Sequence, residues 1–142
     1  MGIDLYGFYS PKFRIGRHAK TRVKFPIILA DPSWSYRDKA LAGNRGAGCK
    51  YPLLSDQDIY ALPVATIASD NSILFLWVTM PKLAEGLRCM AAWGYEFKTN
   101  AFTWVKRNRT GTPWFMGMGR WTRANAELCL LGTRGRPSRV SA

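Results

Sequence analysis

Histidine is nearly absent from this chain. His18 is the single one in 142 residues, and it suggests no role of its own. The cysteines, Cys49, Cys89 and Cys129, are odd in number and widely spaced, with no Cys-x-x-Cys among them. That combination argues against a structural zinc site and against a disulfide framework. It suits a reducing compartment. Acid is scarce as well: nine Asp and Glu stand against 21 Lys and Arg, for a net charge of +12. Such an excess favours polyanionic partners, because Lys and Arg that contact phosphate release counterions. No apolar run approaches the roughly 20 residues of a membrane span. The first residues lack the charged head and apolar stretch of a secretory leader. Tyr6 stands where a myristoylation signal needs Ser or Thr. The expectation is a cytoplasmic protein with no membrane partner. A glycine-rich strand-to-helix turn is also missing, since Gly117-Met118-Gly119 lies in a loop that precedes a strand.

What remains is apolar and aromatic. Hydrophobic residues make up 47% of the chain and six are tryptophan, so one globular domain with a real core is expected. Residues 1–24 read as an irregular basic arm, with Lys12, Arg14, Arg17, Lys20, Arg22 and Lys24 recurring without apolar period. Residues 25–142 read as the domain. A strand is predicted at Phe25–Ala30, its continuous apolar run reading as buried on both faces, followed by a polar, glycine-rich loop to Lys50. Ser55 is placed to cap a helix that Pro63 ends, with Asp58 three residues on. Ser72–Val78 is the strongest strand, apolar on both faces and so expected at the centre of a covered sheet. Pro81 opens a helix from Lys82 to Trp93, with Leu83, Leu87, Met90 and Ala91 on its apolar side and Gly94 ending it. Tyr95–Lys106 and Ala126–Gly132 read as two further strands, joined by a loop rich in glycine, arginine and aromatics. Alternating strands and helices predict an α/β fold with a mainly parallel sheet. The last two strands have no helix between them, so they predict an antiparallel edge.

The most informative stretch is Ile27-Ile28-Leu29-Ala30-Asp31-Pro32-Ser33-Trp34. An apolar run stops at an acid, which places Asp31 at the carboxyl end of a strand, where open α/β sheets bind ligands. Pro32 fixes its own φ and pushes Asp31 towards an extended conformation. A carboxylate, backbone carbonyls and an indole in a stiff frame suit a flat base with an exocyclic amine. Carboxylate and carbonyl each accept one N–H, and an aromatic ring stacks on the base. The alternative is an ordinary Asp-Pro turn with Trp34 filling the core.

Ala30-Asp31-Pro32-Ser33-Trp34 does not stand alone. Tyr51-Pro52 precedes Ser55, and Ala61-Leu62-Pro63-Val64, Leu74–Thr79, Ala92-Trp93-Gly94-Tyr95, Trp104-Val105-Lys106 and Glu127–Pro137 follow in order. This ordered set resembles the MT-A70-like family of adenine N6-methyltransferases, in its short phage and bacterial form. The resemblance implies a Rossmann-like methyltransferase fold in permuted motif order, S-adenosylmethionine as methyl donor, and adenine in DNA or RNA as acceptor. It implies that Asp31 and the Pro32 carbonyl accept from the adenine amine and that Trp34 stacks on the base. It also implies that Asp31 lies near the cationic end of the cofactor. Ser33 departs from the family's Asp-Pro-Pro-Trp, losing one rigid φ and gaining an N–H and a hydroxyl. The family's cofactor-binding segments, expected after Arg136, are not found, so the domain reads as incomplete. A complementing C-terminal half or a homo-oligomer is the expected protein partner, and weak S-adenosylmethionine binding is expected of this chain alone.

Other candidates for substrate contact are Tyr36 and Tyr51, which flank the basic loop, with packing as the alternative. Lys106 is a candidate for phosphate, with a solvated strand end as the alternative. Arg107, Arg109, Arg120 and Arg123 are interleaved with Trp114, Phe115 and Trp121, combining phosphate-seeking charge with stacking surface. Glu127 reads as a strand-edge acid paired with an arginine. Trp77, Trp93 and Trp104 read as core. The reading that follows is a DNA adenine N6-methyltransferase. An RNA adenine methyltransferase and a non-catalytic nucleic-acid-binding remnant are the alternatives.

Overall fold

The computed structural model describes residues 23–36, 52–111, 114–117 and 121–139. Most of the basic arm, most of the glycine-rich loop with Tyr51 and Cys49, and Arg120 fall outside the described residues. The elements run β1 (Phe25–Ala30), α1 (Asp56–Tyr60), β2 (Ala68–Thr79), α2 (Leu83–Ala92), β3 (Glu96–Trp104) and β4 (Glu127–Arg134). Short 3-10 turns at Val64–Thr66 and Met80–Lys82 lead into β2 and α2.

The local signals act as read. Ser55 caps α1, its Oγ accepting from the Asp58 backbone N–H at 3.1 Å and donating to the Asp58 carboxylate at 2.6 Å. Gly94 takes φ 81° just beyond α2, a left-handed conformation that favours glycine. Gly86 lets α2 press onto the sheet: a Cβ there would come within 2.5 Å of Val78 Cγ1. The buried side of α2 is accordingly Gly86, Cys89 and Met90, whereas Leu87 and Ala91 are exposed.

The sheet order is β1-β2-β4-β3. β1 and β2 pair in parallel, but β2 with β4 and β3 with β4 pair antiparallel. The expectation of a mainly parallel sheet is therefore corrected. β3 is the antiparallel edge that was expected. β4 lies inside the sheet because it enters between β2 and β3.

One face of the sheet carries the core. Ile28, Ala30, Leu74, Leu76, Val78 and Leu130 are buried there with Ile59, Met90 and Trp93 from the helical side. Trp93 Nε1 donates to the Ile59 carbonyl at 3.0 Å and joins the two helices. Buried Lys82 reaches both Asp56 carboxylate oxygens at 2.8 and 2.9 Å, and Ser72 Oγ lies 2.9 Å from Tyr95 OH. The other face is more open among the described residues, although Cys129 is fully buried on it. Ile27 and Leu29 are 60% and 63% exposed there, and Phe102 is 58% exposed where it stacks on Phe75. β1 is thus covered on one side only, not on both as its continuous apolar run suggested. Trp104, expected in the core, is exposed as well.

Candidate active site

The strand directions assemble the site. β1 and β2 run parallel, so both end at the same rim of the sheet. β4 runs the other way and starts there, with Glu127 opposite Thr79. Asp31, one residue past β1, thus meets the end of β2 and the beginning of β4. These elements bound a cleft open to solvent, lined by Asp31, Pro32, Trp34, Tyr36, Trp77, Val78, Thr79 and Glu127.

The turn after Asp31 is fixed by its backbone. Trp34 N–H donates to the Pro32 carbonyl at 2.8 Å, closing a three-residue turn. Leu54 N–H donates to the Ser33 carbonyl at 3.0 Å, tying the turn to the segment before α1. Ser33 thus serves through its backbone and does not line the cleft. The Pro32 carbonyl already accepts one bond, and its second lone pair is what remains for a ligand.

Trp34 lines the cleft from its core side. Its ring is 4% exposed and belongs to the core, with Nε1 donating to the Trp77 carbonyl at 3.1 Å. It forms the floor of the cleft and leaves almost no surface for a second ring. The aromatic with open surface at this rim is Tyr36, 39% exposed, its hydroxyl 2.9 Å from Thr79 Oγ1.

Asp31 keeps part of its surface in water, yet its pKa lies above the ordinary carboxylate value. Partial burial is the larger cause and the negative charge of Glu127 the second. Glu127, read from the sequence as a strand-edge acid, lines the cleft. It does pair with a base, but the partner is Lys106 and not an arginine. Lys106 is thereby committed to Glu127 and further held by Asn125, which bonds its backbone N–H at 2.7 Å and its carbonyl at 2.8 Å. The register Thr79 to Glu127 is a property of the assembled sheet, and no local motif announces it.

A second hollow lies beside the first. Trp114, Phe115, Met116, Gly117, Arg123, Ala124 and Asn125 line it. The Arg107 guanidinium stacks over the Trp114 ring, 4.9 Å from its centre. Arg109 and Arg123 are exposed, and Trp121 is 96% exposed. Asn125 and Glu127 connect this loop to the Asp31 cleft. Of the expected contact residues, Tyr36 lines the cleft, Lys106 borders it through Glu127, and Arg107 and Arg123 border the second hollow.

Among the described residues, no cluster of His, Cys, Asp and Glu is placed to hold a metal ion. Cys89 and Cys129 are buried free thiols, and burial pushes Cys89 up to about 12. No helix among the described residues is long and apolar enough to cross a membrane.

Comparison with known proteins places this geometry in context. Residues 25–142 match the MT-A70 family model. The chain is 33% identical over 131 residues to the type II methyltransferase M.MunI of Mycoplasma sp, covering 81% of this chain and 53% of that protein. It is 32% identical over 124 residues to the N(6)-adenosine-methyltransferase MT-A70-like protein of Drosophila melanogaster, covering 83% of this chain and 18% of that protein. It is 32% identical over 120 residues to the N(6)-adenosine-methyltransferase catalytic subunit METTL3 of Homo sapiens, covering 80% and 18%. The matched region is about half of the Mycoplasma relative and under a fifth of the other two.

Proposed function

Since this chain belongs to the MT-A70 family, we propose that it carries the substrate-gripping half of an adenine N6-methyltransferase acting on DNA. The observation that carries the reading is the meeting of Asp31, the Pro32 carbonyl and Tyr36 in one cleft at the sheet rim. Asp31, when ionised, accepts one N–H of the adenine amine. The Pro32 carbonyl accepts the other through its remaining lone pair. Those two bonds hold the amine nitrogen in a fixed direction, and such positioning supplies much of the rate in a reaction that needs no strong base first. Tyr36 offers its ring at the lip for stacking, and Trp34 holds the floor rigid from below. The arginine and aromatic loop beside the cleft binds the polynucleotide strand by charge and stacking. DNA is taken as the acceptor because the matched region spans about half of the type II relative and under a fifth of the two N(6)-adenosine-methyltransferases.

The family's methyl donor is S-adenosylmethionine, which supplies an electrophilic methyl group on a sulfonium. The described residues fit only its cationic end, where Glu127 stands close enough to Asp31 to help raise its pKa. They do not fit its nucleoside end: no glycine-rich turn or further acid faces the cleft among its lining residues. Weak S-adenosylmethionine binding by this chain alone is therefore expected, and micromolar binding at normal stoichiometry in calorimetric titration is the contrary result.

The test is transfer of a tritiated methyl group to DNA and to RNA of the same sequence, in the presence of a cofactor-binding half. The expected product is N6-methyladenine, formed on DNA in preference to RNA and lost in Asp31→Ala. Label on another base, or label undiminished in Asp31→Ala, contradicts the reading. Preference for RNA moves the acceptor while leaving the chemistry in place.

A further inference from the structure

The segment after Pro32 is stitched to the end of β2 at two places, each time by the polar tip of an aromatic ring. Trp34 Nε1 donates to the Trp77 carbonyl at 3.1 Å, and Tyr36 OH lies 2.9 Å from Thr79 Oγ1. Both sides step by two residues, so the segment follows β2 in its own direction and hangs one ring at each step. The two rings are held differently. Trp34 is 4% exposed and its partner is main chain, whereas Tyr36 is 39% exposed and its partner is a side chain. Thr79 ends β2 and precedes the 3-10 turn Met80–Lys82, a position where threonine hydroxyls commonly cap. Its side chain makes no cap here. Pro81, in the first turn, has no N–H to offer. The hydroxyl meets Tyr36 instead, and both residues line the Asp31 cleft.

Resting on the reading of Tyr36 as the stacking ring, we infer that Thr79 is a positioning residue of the base slot. Its hydroxyl holds the Tyr36 ring in the orientation on which a purine beside Asp31 stacks. An exposed ring without such a tie exchanges among staggered rotamers, and stacking depends on the angle between the planes. Tying the far end of the ring restricts that exchange before a base arrives, so less ordering remains to oppose binding. The tie also comes from the strand that frames Asp31. Ala30, just before Asp31, pairs with Leu76 of β2, and Thr79 stands opposite Glu127 of β4. Ring and carboxylate are thus both set by one sheet. Thr79 touches no reacting atom in this assignment and acts through Tyr36.

The probe is a short single-stranded oligonucleotide with one 2-aminopurine among pyrimidines, bound to the 142-residue chain. This base fluoresces, and its emission falls when an aromatic ring stacks on it. Its amine is at C2 and not C6, so the readout asks nothing of the grip by Asp31. Wild type should quench the probe, and Tyr36→Leu should abolish the quenching. Thr79→Val keeps the shape of the side chain and removes the hydroxyl. It should relieve the quenching and cut the preference for the probe over an abasic strand by about fivefold, the lower end of what one stacked base contributes. Tyr36→Phe removes the same bond from the exposed side and should match it, even if Thr79→Val folds poorly. The two changes together should cost no more than either alone, and Thr79→Ser should restore quenching and preference. An unquenched probe in wild type, or quenching that persists in Tyr36→Leu, would remove the stacking reading and the inference with it. Quenching lost in Tyr36→Leu but intact in Thr79→Val and Tyr36→Phe, or losses that add in the double variant, would overturn the positioning role alone.

Discussion

The two hollows at the rim of the sheet are neighbours built on opposite principles. The Asp31 cleft has walls of strand and a buried indole for a floor. Its turn is closed by Trp34 N–H to the Pro32 carbonyl and tied down by Leu54. The loop hollow is lined by side chains that stand in water: Trp114 at 59% exposure, Met116 at 67%, with Trp121 beyond them. The first is held in one geometry by the scaffold, as a site for chemistry requires. The second offers stacking area and charge without a fixed shape, which suits a strand held by many weak contacts. If the contrast is real, substitutions in the cleft alter rate and stability, and substitutions in the loop alter affinity and its salt dependence.

The largest effect should come from Asp31. Asp31→Ala is expected to lower methyl transfer by about a hundredfold to a thousandfold, the usual cost of losing one positioned polar partner. Asp31→Asn should do the same while unfolding no more easily than wild type at neutral pH. The sign follows from linkage: the folded pKa lies above the unfolded value, so ionisation opposes folding, and removing the charge relieves that. The advantage should vanish as pH falls through the raised pKa, where wild-type Asp31 is protonated. Thermal melts across that range check it.

Next is Trp34→Ala, which removes a buried aromatic and its bond to Trp77. A loss of about 3–5 kcal/mol in denaturant unfolding is expected. A loss under 1 kcal/mol would mean that the indole is no part of the floor. On the loop side, Trp121→Ala should weaken binding to single-stranded oligonucleotide by about tenfold. Its thermal midpoint should not move, since the ring is almost fully in water. Arg107→Ala should reduce the slope of log affinity against log salt by about one. If either loop change unfolds the protein, the two hollows are not as different as described.

The smallest effect expected is a shift in pH dependence. Glu127→Gln removes the second of the two causes that raise Asp31, leaving burial in place. The acid limb of the rate profile should therefore move partway to lower pH. An unmoved limb would mean that Glu127 does not act on Asp31.

Much of this was legible before any coordinates. The strand tip at Asp31, the Ser55 cap, the strong strand at Ser72–Val78 and the Gly94 stop are local signals, and local chemistry enforces them. Three features were not legible because they are settled between elements. Phe25–Ala30 reads as a strand covered on both sides, yet a run of apolar residues cannot say whether a second layer has arrived. Trp34 reads equally as a stacking platform or a core plug, since the two differ only in which way the ring is covered. Glu127 reads as a surface acid because its place opposite Thr79 depends on β4 running antiparallel beside β2. The mainly parallel expectation failed at that same strand.

The central claim is that Asp31 grips an exocyclic amine. It is tested most directly by binding, without cofactor or turnover. A short single-stranded oligonucleotide bearing one adenine is compared with the same strand bearing purine, where hydrogen replaces the amine. Wild type should prefer adenine by roughly tenfold, the worth of a hydrogen bond to a charged acceptor, and Asp31→Ala should bind both alike. Equal affinity in the wild type, or a preference that persists in Asp31→Ala, contradicts the account.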